Sequence, residues 1–414
     1  MAVRGRLWLG VLYFGAGLLS PGGTNAEILS RTPLHPPSGE VVYSRLVDTN
    51  EKRGEGRPKA LPASGKVPRF QWQGFDLFLQ TLPSGRTIRL TDHRHSKELG
   101  AVMEDVTFDH TGQFVAFLAP RKRVREHRGM EMSLCCLWVI NVATRAATLV
   151  ALPGPALGYS WSPTGSRLVV ITGTINAPRL LLFDAQSHSV RPLFGANAFP
   201  LCPWAWWGNG RGIVYEDTPA HRLLRRSVRT GQITAQWREP KGMTVVSLYP
   251  APDRQRMLVC TGSNFYMAVP HQALTEAFRV ERCADDSPLW ATDSQKLLLH
   301  TFTDIPPDDG LGSLPTETDH VIQAWDAQGR RWLPPLLSWT DGVTPPWRYS
   351  LLAGPDAKNW LVVTESNMPA TDGLPRLLAI DLGSKKQEQL WKASSLILSL
   401  DWHEVDGKIT PPSH

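Results

Sequence analysis

Short apolar runs separated by compact polar turns fill the chain, and their most regular copy is Gly158 to Leu193, GYSWSPTGSRLVVITGTINAPRLLLFDAQSHSVRPL. An aromatic anchor, Trp161, precedes Ser162-Pro163-Thr164-Gly165, where proline fixes one φ and glycine accepts a conformation other residues resist. Arg167 to Ile171 and Arg179 to Phe183 are β-branched and apolar runs, and the polar turn Asp184 to His188 leads into Val190 to Leu193. The pattern predicts four short antiparallel strands. A sheet this small leaves both faces uncovered, so it calls for neighbouring copies.

Such copies are present. The anchor-and-turn element recurs at Phe108 to Gly112, Trp206 to Gly210, Tyr249 to Asp253, Trp290 to Asp293, Gly354 to Ala357 and Trp402 to Gly407, about 41 to 63 residues apart. With Trp161 that makes seven. An outgoing hairpin also occurs seven times, at Phe75 to Leu90, Leu137 to Leu152, Leu180 to Leu193, Leu223 to Trp237, Phe265 to Val280, Val321 to Leu333 and Leu377 to Trp391. The two series are offset: the first hairpin has no anchor strand before it, and the last anchor strand, Ile397 to Trp402, has no hairpin after it. Gly39-Glu-Val-Val-Tyr43 resembles Gly212-Ile-Val-Tyr215, the strand that follows an anchor turn. The expected fold is therefore all-β: a seven-bladed β-propeller of four-stranded antiparallel blades, closed by pairing of the amino- and carboxy-terminal strands in one blade.

These copies resemble the TolB-type propeller repeat, whose signature is an aromatic residue, a Ser-Pro-Asp-Gly turn, a β run, a second β run ending in Asp, and a glycine-containing turn. Trp161-Ser-Pro-Thr-Gly165 and Leu181-Leu-Phe-Asp184 match it best, and the resemblance covers roughly Glu40 to Ile409. It is specific for fold and says little about role. TolB itself carries a separate amino-terminal α/β domain, for which Glu27 to Gly39 leaves no room, so its partnership with a peptidoglycan-associated lipoprotein does not carry over.

The start of the chain has another character. Arg4 and Arg6 precede an apolar run from Leu7 to Leu19, and Thr24 and Ala26 are small residues at the spacing a signal peptidase accepts. The run is shorter than the ~20 residues that span a bilayer. The expected organisation is a signal peptide at 1–26, a short segment at 27–39, the propeller at 40–410 and a tail at 411–414, with a periplasmic or secreted product and no transmembrane segment in the mature chain. Removing Arg4 and Arg6 lowers the net charge from +6 to +4, too mild a balance to imply nucleic acid. The five cysteines Cys135, Cys136, Cys202, Cys260 and Cys283 share no metal-type spacing.

Loop length points to a working face. Connections from strand one to two and three to four are tight turns, whereas insertions fall between strands two and three, at Asp48 to Arg69, Pro120 to Ser133, Thr303 to Asp319 and Ser366 to Pro375, with the between-blade segment His93 to Glu104 on the same side. Long loops on a rigid frame carry binding. Arg121, Lys122, Arg123 and Arg125 make one of them basic, and Asp304, Asp308 and Asp309 make another acidic. A polarised rim would draw an anionic partner to one side; the alternative is solvated loops, or the two pairing with each other.

No nucleophile elbow, His-Glu-x-x-His, phosphate-binding glycine loop or sialidase box is present. His93 and His95 alternate as on one strand face, and His300 ends a second strand near the same rim, so three imidazoles have the donor type for a divalent metal. Lyases acting on oligogalacturonate, propellers of this general type, use a histidine-held manganese, and the resemblance implies that alternative. Trp204, Trp206 and Trp207 read as packing between blades rather than a sugar platform. Two expectations follow: a monomeric, non-enzymatic module without cofactor that binds a protein or envelope component, or a secreted metal-dependent enzyme such as a polysaccharide lyase.

Overall fold

The computed structural model describes residues 39–46, 75–82, 85–91, 104–125, 131–174, 177–194, 203–208, 210–217, 220–239, 244–253, 255–284, 288–291, 294–305, 317–342, 349–353, 360–365, 376–381, 384, 386–393 and 397–404. Among them the chain is strand and turn, with no α-helix. The signal segment, His93, His95, Cys202, Asp308 and Asp309 lie outside the described residues. Two compact units divide the chain: one holds the described residues of 39–279 and 397–404, the other those of 280–393.

The larger unit is built of four-stranded antiparallel meanders. The Gly158 to Leu193 stretch forms Ala156–Trp161, Arg167–Thr174, Ala177–Asp184 and Ser189–Pro192, paired in that order. Leu168, Val169 and Val170 are completely buried, so successive side chains cover both faces of the strand. Such a continuous apolar run is what a strand with neighbours on both sides requires, at about 1.5–3 kcal/mol for each side chain withdrawn from water. Gly165 takes the positive φ, +76°, that the turn after the anchor needs.

A preceding meander, Glu104–Phe108, Phe114–Arg125, Glu131–Asn141 and Ala147–Leu149, joins this one through the single pairing of Cys135 with Ala156. Two more follow: Trp204–Trp206, Gly212–Asp217, Arg222–Ser227 and Ile233–Arg238, then Ser247–Pro250, Met257–Cys260, Asn264–Ala268 and Thr275–Arg279. Anchor tryptophans tie consecutive sheets together. Trp161 Nε1–H donates to the Thr107 carbonyl at 3.2 Å, and Trp206 Nε1–H to the Ser160 carbonyl at 3.0 Å. Trp206 and Trp207 are buried, Trp207 stacked on Trp237 at 5.9 Å, in keeping with a packing role.

The fifth sheet of this unit draws on both ends of the described chain. Ile397–Glu404 pairs antiparallel with Gly39–Leu46, which pairs with Phe75–Leu82 and then Thr87–Arg89. Val41 lies opposite Trp402, and Val41 and Val42 are fully buried. Asp401 Oδ2 accepts the Phe108 backbone N–H at 2.7 Å, linking this sheet to the next. Buried Asp76 is satisfied by Arg89 and by the Thr91 hydroxyl at 2.9 Å.

The smaller unit has two sheets among its described residues. One is Leu289–Trp290, Lys296–Ile305, Glu317–Asp326 and Arg331–Trp332, with Leu337–Gly342 also pairing along Glu317–Asp326. Pro334 and Pro335 interrupt what is otherwise one long fourth strand, because neither can donate to the ladder. The other is Tyr349–Ala353, Trp360–Glu365, Arg376–Asp381 and Gln387–Lys392. Leu298 and Ile322 of the first sheet pack with Leu351, Leu361, Val363 and Ile380 of the second.

Candidate functional site

Among the described residues two hairpins outreach the rest, both formed by the second and third strands of their sheets. Phe114–Arg125 pairs with Glu131–Asn141 out to Arg125 opposite Glu131, and Lys296–Ile305 pairs with Glu317–Asp326 out to Ile305 opposite Glu317. The sequence reading placed loops at Pro120 to Ser133 and Thr303 to Asp319; strand continues for several residues into each. In the first hairpin the register shifts between Pro120 and Lys122, a bulge that accommodates a residue without an N–H while the ladder resumes beyond it. Lys122, Arg123 and Arg125 are consequently on a strand, opposite Leu134, Ser133 and Glu131, with Arg121 at the bulge.

In the second hairpin the outer end is a network of polar groups. Asp304 accepts from Arg282, which approaches from the segment before the sheet, and from the Thr318 hydroxyl at 3.1 Å. Asp319 accepts the Thr340 hydroxyl at 2.6 Å. The acidic stretch thus has a base supplied from outside it, which inspection of Thr303 to Asp319 alone does not reveal. Arg282 also lies over the Phe302 ring at 4.5 Å, so its charge is held by a carboxylate and a π face together.

Beneath this end sits an aromatic and imidazole cluster. His300 and Phe302 alternate on one strand, His320 faces Phe302 across the ladder, and Trp339 faces His320 on the third strand. One face therefore carries all four. His300 Nε2 and His320 Nδ1 are 3.2 Å apart, a hydrogen bond between one protonated and one bare ring nitrogen. His320 stacks on Trp339 with centroids 4.9 Å apart and planes within 6°. His300 is fully buried, and burial first, then the neighbouring His320, pushes its pKa down to about 3. Burial thus keeps the His300 ring neutral, packed within a rigid aromatic support.

His300 does not end its strand as the sequence reading expected; the ladder runs five residues further, to Ile305. Among the described residues no three His, Cys, Asp or Glu side chains converge as metal ligands. His320, Trp339 and Arg282 escaped sequence reasoning. The signal for His320 was its parity with Ile322 and Thr318, usable only once the register against His300 is known. Of the described cysteines, Cys260 is buried, its Sγ–H donating to the Gly262 carbonyl at 3.3 Å, and Cys135, Cys136 and Cys283 are half-buried.

No protein-family profile matches the sequence, and no characterised protein matches it. Solved structures resemble it in fold. A Bacteroides fragilis protein named as a candidate 6-phosphogluconolactonase superposes with a TM-score of 0.50 at 10% identity, over 89% of this chain and 98% of that one. An oligogalacturonate lyase in complex with manganese gives 0.47 at 14% identity, over 77% and 84%, and a chain of the mitotic checkpoint complex gives 0.44 at 14%, over 73% and 88%. These neighbours are β-propeller-type folds, and the sheets of this chain are of that type.

Proposed function

We propose that the chain is an exported, monomeric seven-bladed β-propeller of the TolB-like repeat class, closed by the sheet its two ends share. It serves as a binding module or scaffold that recognises a protein or cell-envelope component. One observation carries this reading: the two hairpins that outgrow the frame do so at the same connection of the repeat, between second and third strands. One carries Arg121, Lys122, Arg123 and Arg125, and the other Asp304 above a rigid aromatic base. Extending a rigid frame at one connection displays charge without loosening the sheets below. No helix among the described residues is long and apolar enough to cross a membrane.

The test is affinity capture from an envelope fraction using the mature chain and a variant with Arg121, Lys122, Arg123 and Arg125 changed to Gln. A partner retained by wild type and lost by the variant, with unchanged circular dichroism, supports the reading; identical capture by both refutes it. Metal analysis separates it from the enzyme alternative, because stoichiometric Mn, Zn or Ca in the purified protein would favour the metal-dependent lyase with His93, His95 and His300.

A further inference from the structure

A second charged feature lies in the larger unit, on the sheet Trp204–Trp206, Gly212–Asp217, Arg222–Ser227, Ile233–Arg238. Val214, Leu223 and Trp237 face the same apolar core, with Val214 and Leu223 fully buried and Trp237 at 2% exposure. Alternation carries that face onward to Glu216, two residues past Val214, and to Glu239, two past Trp237. Both glutamates are buried, the Glu239 side chain to 1% exposure. The backbone of Glu239 is fixed by its N–H donating to the His221 carbonyl at 3.1 Å.

Charge accounting singles out Glu239. Asp217 is bonded to Arg222 Nε at 2.9 Å. Neither carboxylate oxygen of Glu239 has a hydrogen-bond partner among the described residues. Among the described residues its cationic candidate, His221 Nδ1, stands 3.9 Å from Oε2, beyond hydrogen-bond reach, with the ring 75% exposed. A buried carboxylate without a partner is costly, so its retention at the end of an apolar face needs a reason. Burial, reinforced by Glu216 and Asp217, raises its pKa to about 7.

We propose that Glu239 is the counter-charge of a binding site for a primary alkylammonium group, entered past His221. A single free carboxylate balances a single positive charge, and the described residues offer no converging third ligand for a metal ion. Trp237 and Leu223 fill the core on the face that the carboxylate shares and keep water from it, which strengthens its attraction for an ammonium head. Such a group arrives either on a lysine side chain of a partner protein or on a free amine; both present the same chemistry. This site stands apart from the basic hairpin, which belongs to another sheet, so the hairpin variant tests that reading alone.

The experiment titrates the mature chain with n-butylammonium chloride, following backbone amide shifts by NMR, against sodium chloride at equal ionic strength and against n-butanol. Saturable shifts centred on residues around Glu239 are expected with n-butylammonium alone, weakened at least about tenfold in Glu239→Gln, the loss of one charge-assisted hydrogen bond. Gln keeps the side-chain volume, and an unchanged spectrum elsewhere shows that the variant folds. Equal responses of wild type and Glu239→Gln, or equal responses to n-butylammonium and sodium, would overturn the site. So would calcium or manganese saturating it at lower concentration with no displacement by n-butylammonium. A second arm compares acetyl-Gly-Lys-Gly-amide with putrescine; tighter binding of the peptide assigns the site to a protein lysine, and tighter binding of the diamine to a free amine.

Discussion

Acid should destabilise the smaller unit through His300. The unfolded chain protonates this imidazole near 6.5, whereas the folded chain refuses the proton until about pH 3. Its contribution is therefore fully present above pH 6.5 and is lost as the pH falls from 6.5 towards 3, the window in which the unfolded state binds more protons. The displacement corresponds to on the order of 5 kcal/mol, a large part of the 5–15 kcal/mol that holds a typical domain together. Urea midpoints measured between pH 3 and 7.5 should fall steeply for wild type and less steeply for His300→Leu. Leu removes the titrating ring while keeping an apolar filling against Trp339. Imidazole proton shifts provide the direct check, since the resonance missing from the variant identifies His300 among the twelve histidines. If that resonance titrates near 6.5, or if the two proteins lose stability in parallel, the account of this pair is wrong.

Glu239 should show the opposite slope. Its folded-state pKa of about 7 lies above the ordinary carboxylate value, so its contribution is complete below about 4.5 and lost as pH rises through 7. Glu239→Gln should accordingly raise the unfolding free energy measured in urea at pH 8 by up to about 3 kcal/mol, and have little effect at pH 4. Gly210→Ala should cost about 1–3 kcal/mol in thermal or urea unfolding, because φ is +62° there and the added methyl would collide with Ser162 Oγ and Thr164 Oγ1. Deleting Ser395 to His414 removes the strand against Gly39–Leu46 and the Asp401 acceptor of Phe108, and should abolish cooperative unfolding by circular dichroism. Wild-type melting of that truncation would show that the shared sheet is dispensable.

Strand positions were readable where local chemistry alone decides them. Arg167 to Ile171 sits between a Pro-Thr-Gly turn and a glycine, and the observed strand is Arg167–Thr174. Gly39 to Tyr43 could be assigned to a sheet because its side-chain pattern repeats Gly212 to Tyr215, and the observed pairing of Gly39–Leu46 with both Phe75–Leu82 and Ile397–Glu404 follows that assignment. Charge misled the reading at the hairpin ends. Arg121 to Arg125 and Asp304 look like solvated loop, yet a ladder already paired from Phe114 or Lys296 extends through polar residues at little cost. Contacts set by long-range register were illegible: His320 meets His300 from 20 residues away, and Arg282 meets Asp304 from 22. Glu239 was invisible for a different reason. One glutamate beside Arg238 looks like any surface charge until the strand's parity assigns it to the buried face.

The sheet shared by the two chain ends constrains when folding can finish. Gly39–Leu46 is made about 350 residues before its neighbour Ile397–Glu404. Bringing ends so far apart together costs roughly 5 kcal/mol of loop entropy, and nothing made earlier can stand in for the missing strand. The Gly39–Leu46 edge therefore stays open until Ile397–Glu404 has been made, and completion of the larger unit waits for that strand. Any product truncated before Ile397 would carry that edge exposed, a template for pairing with another chain.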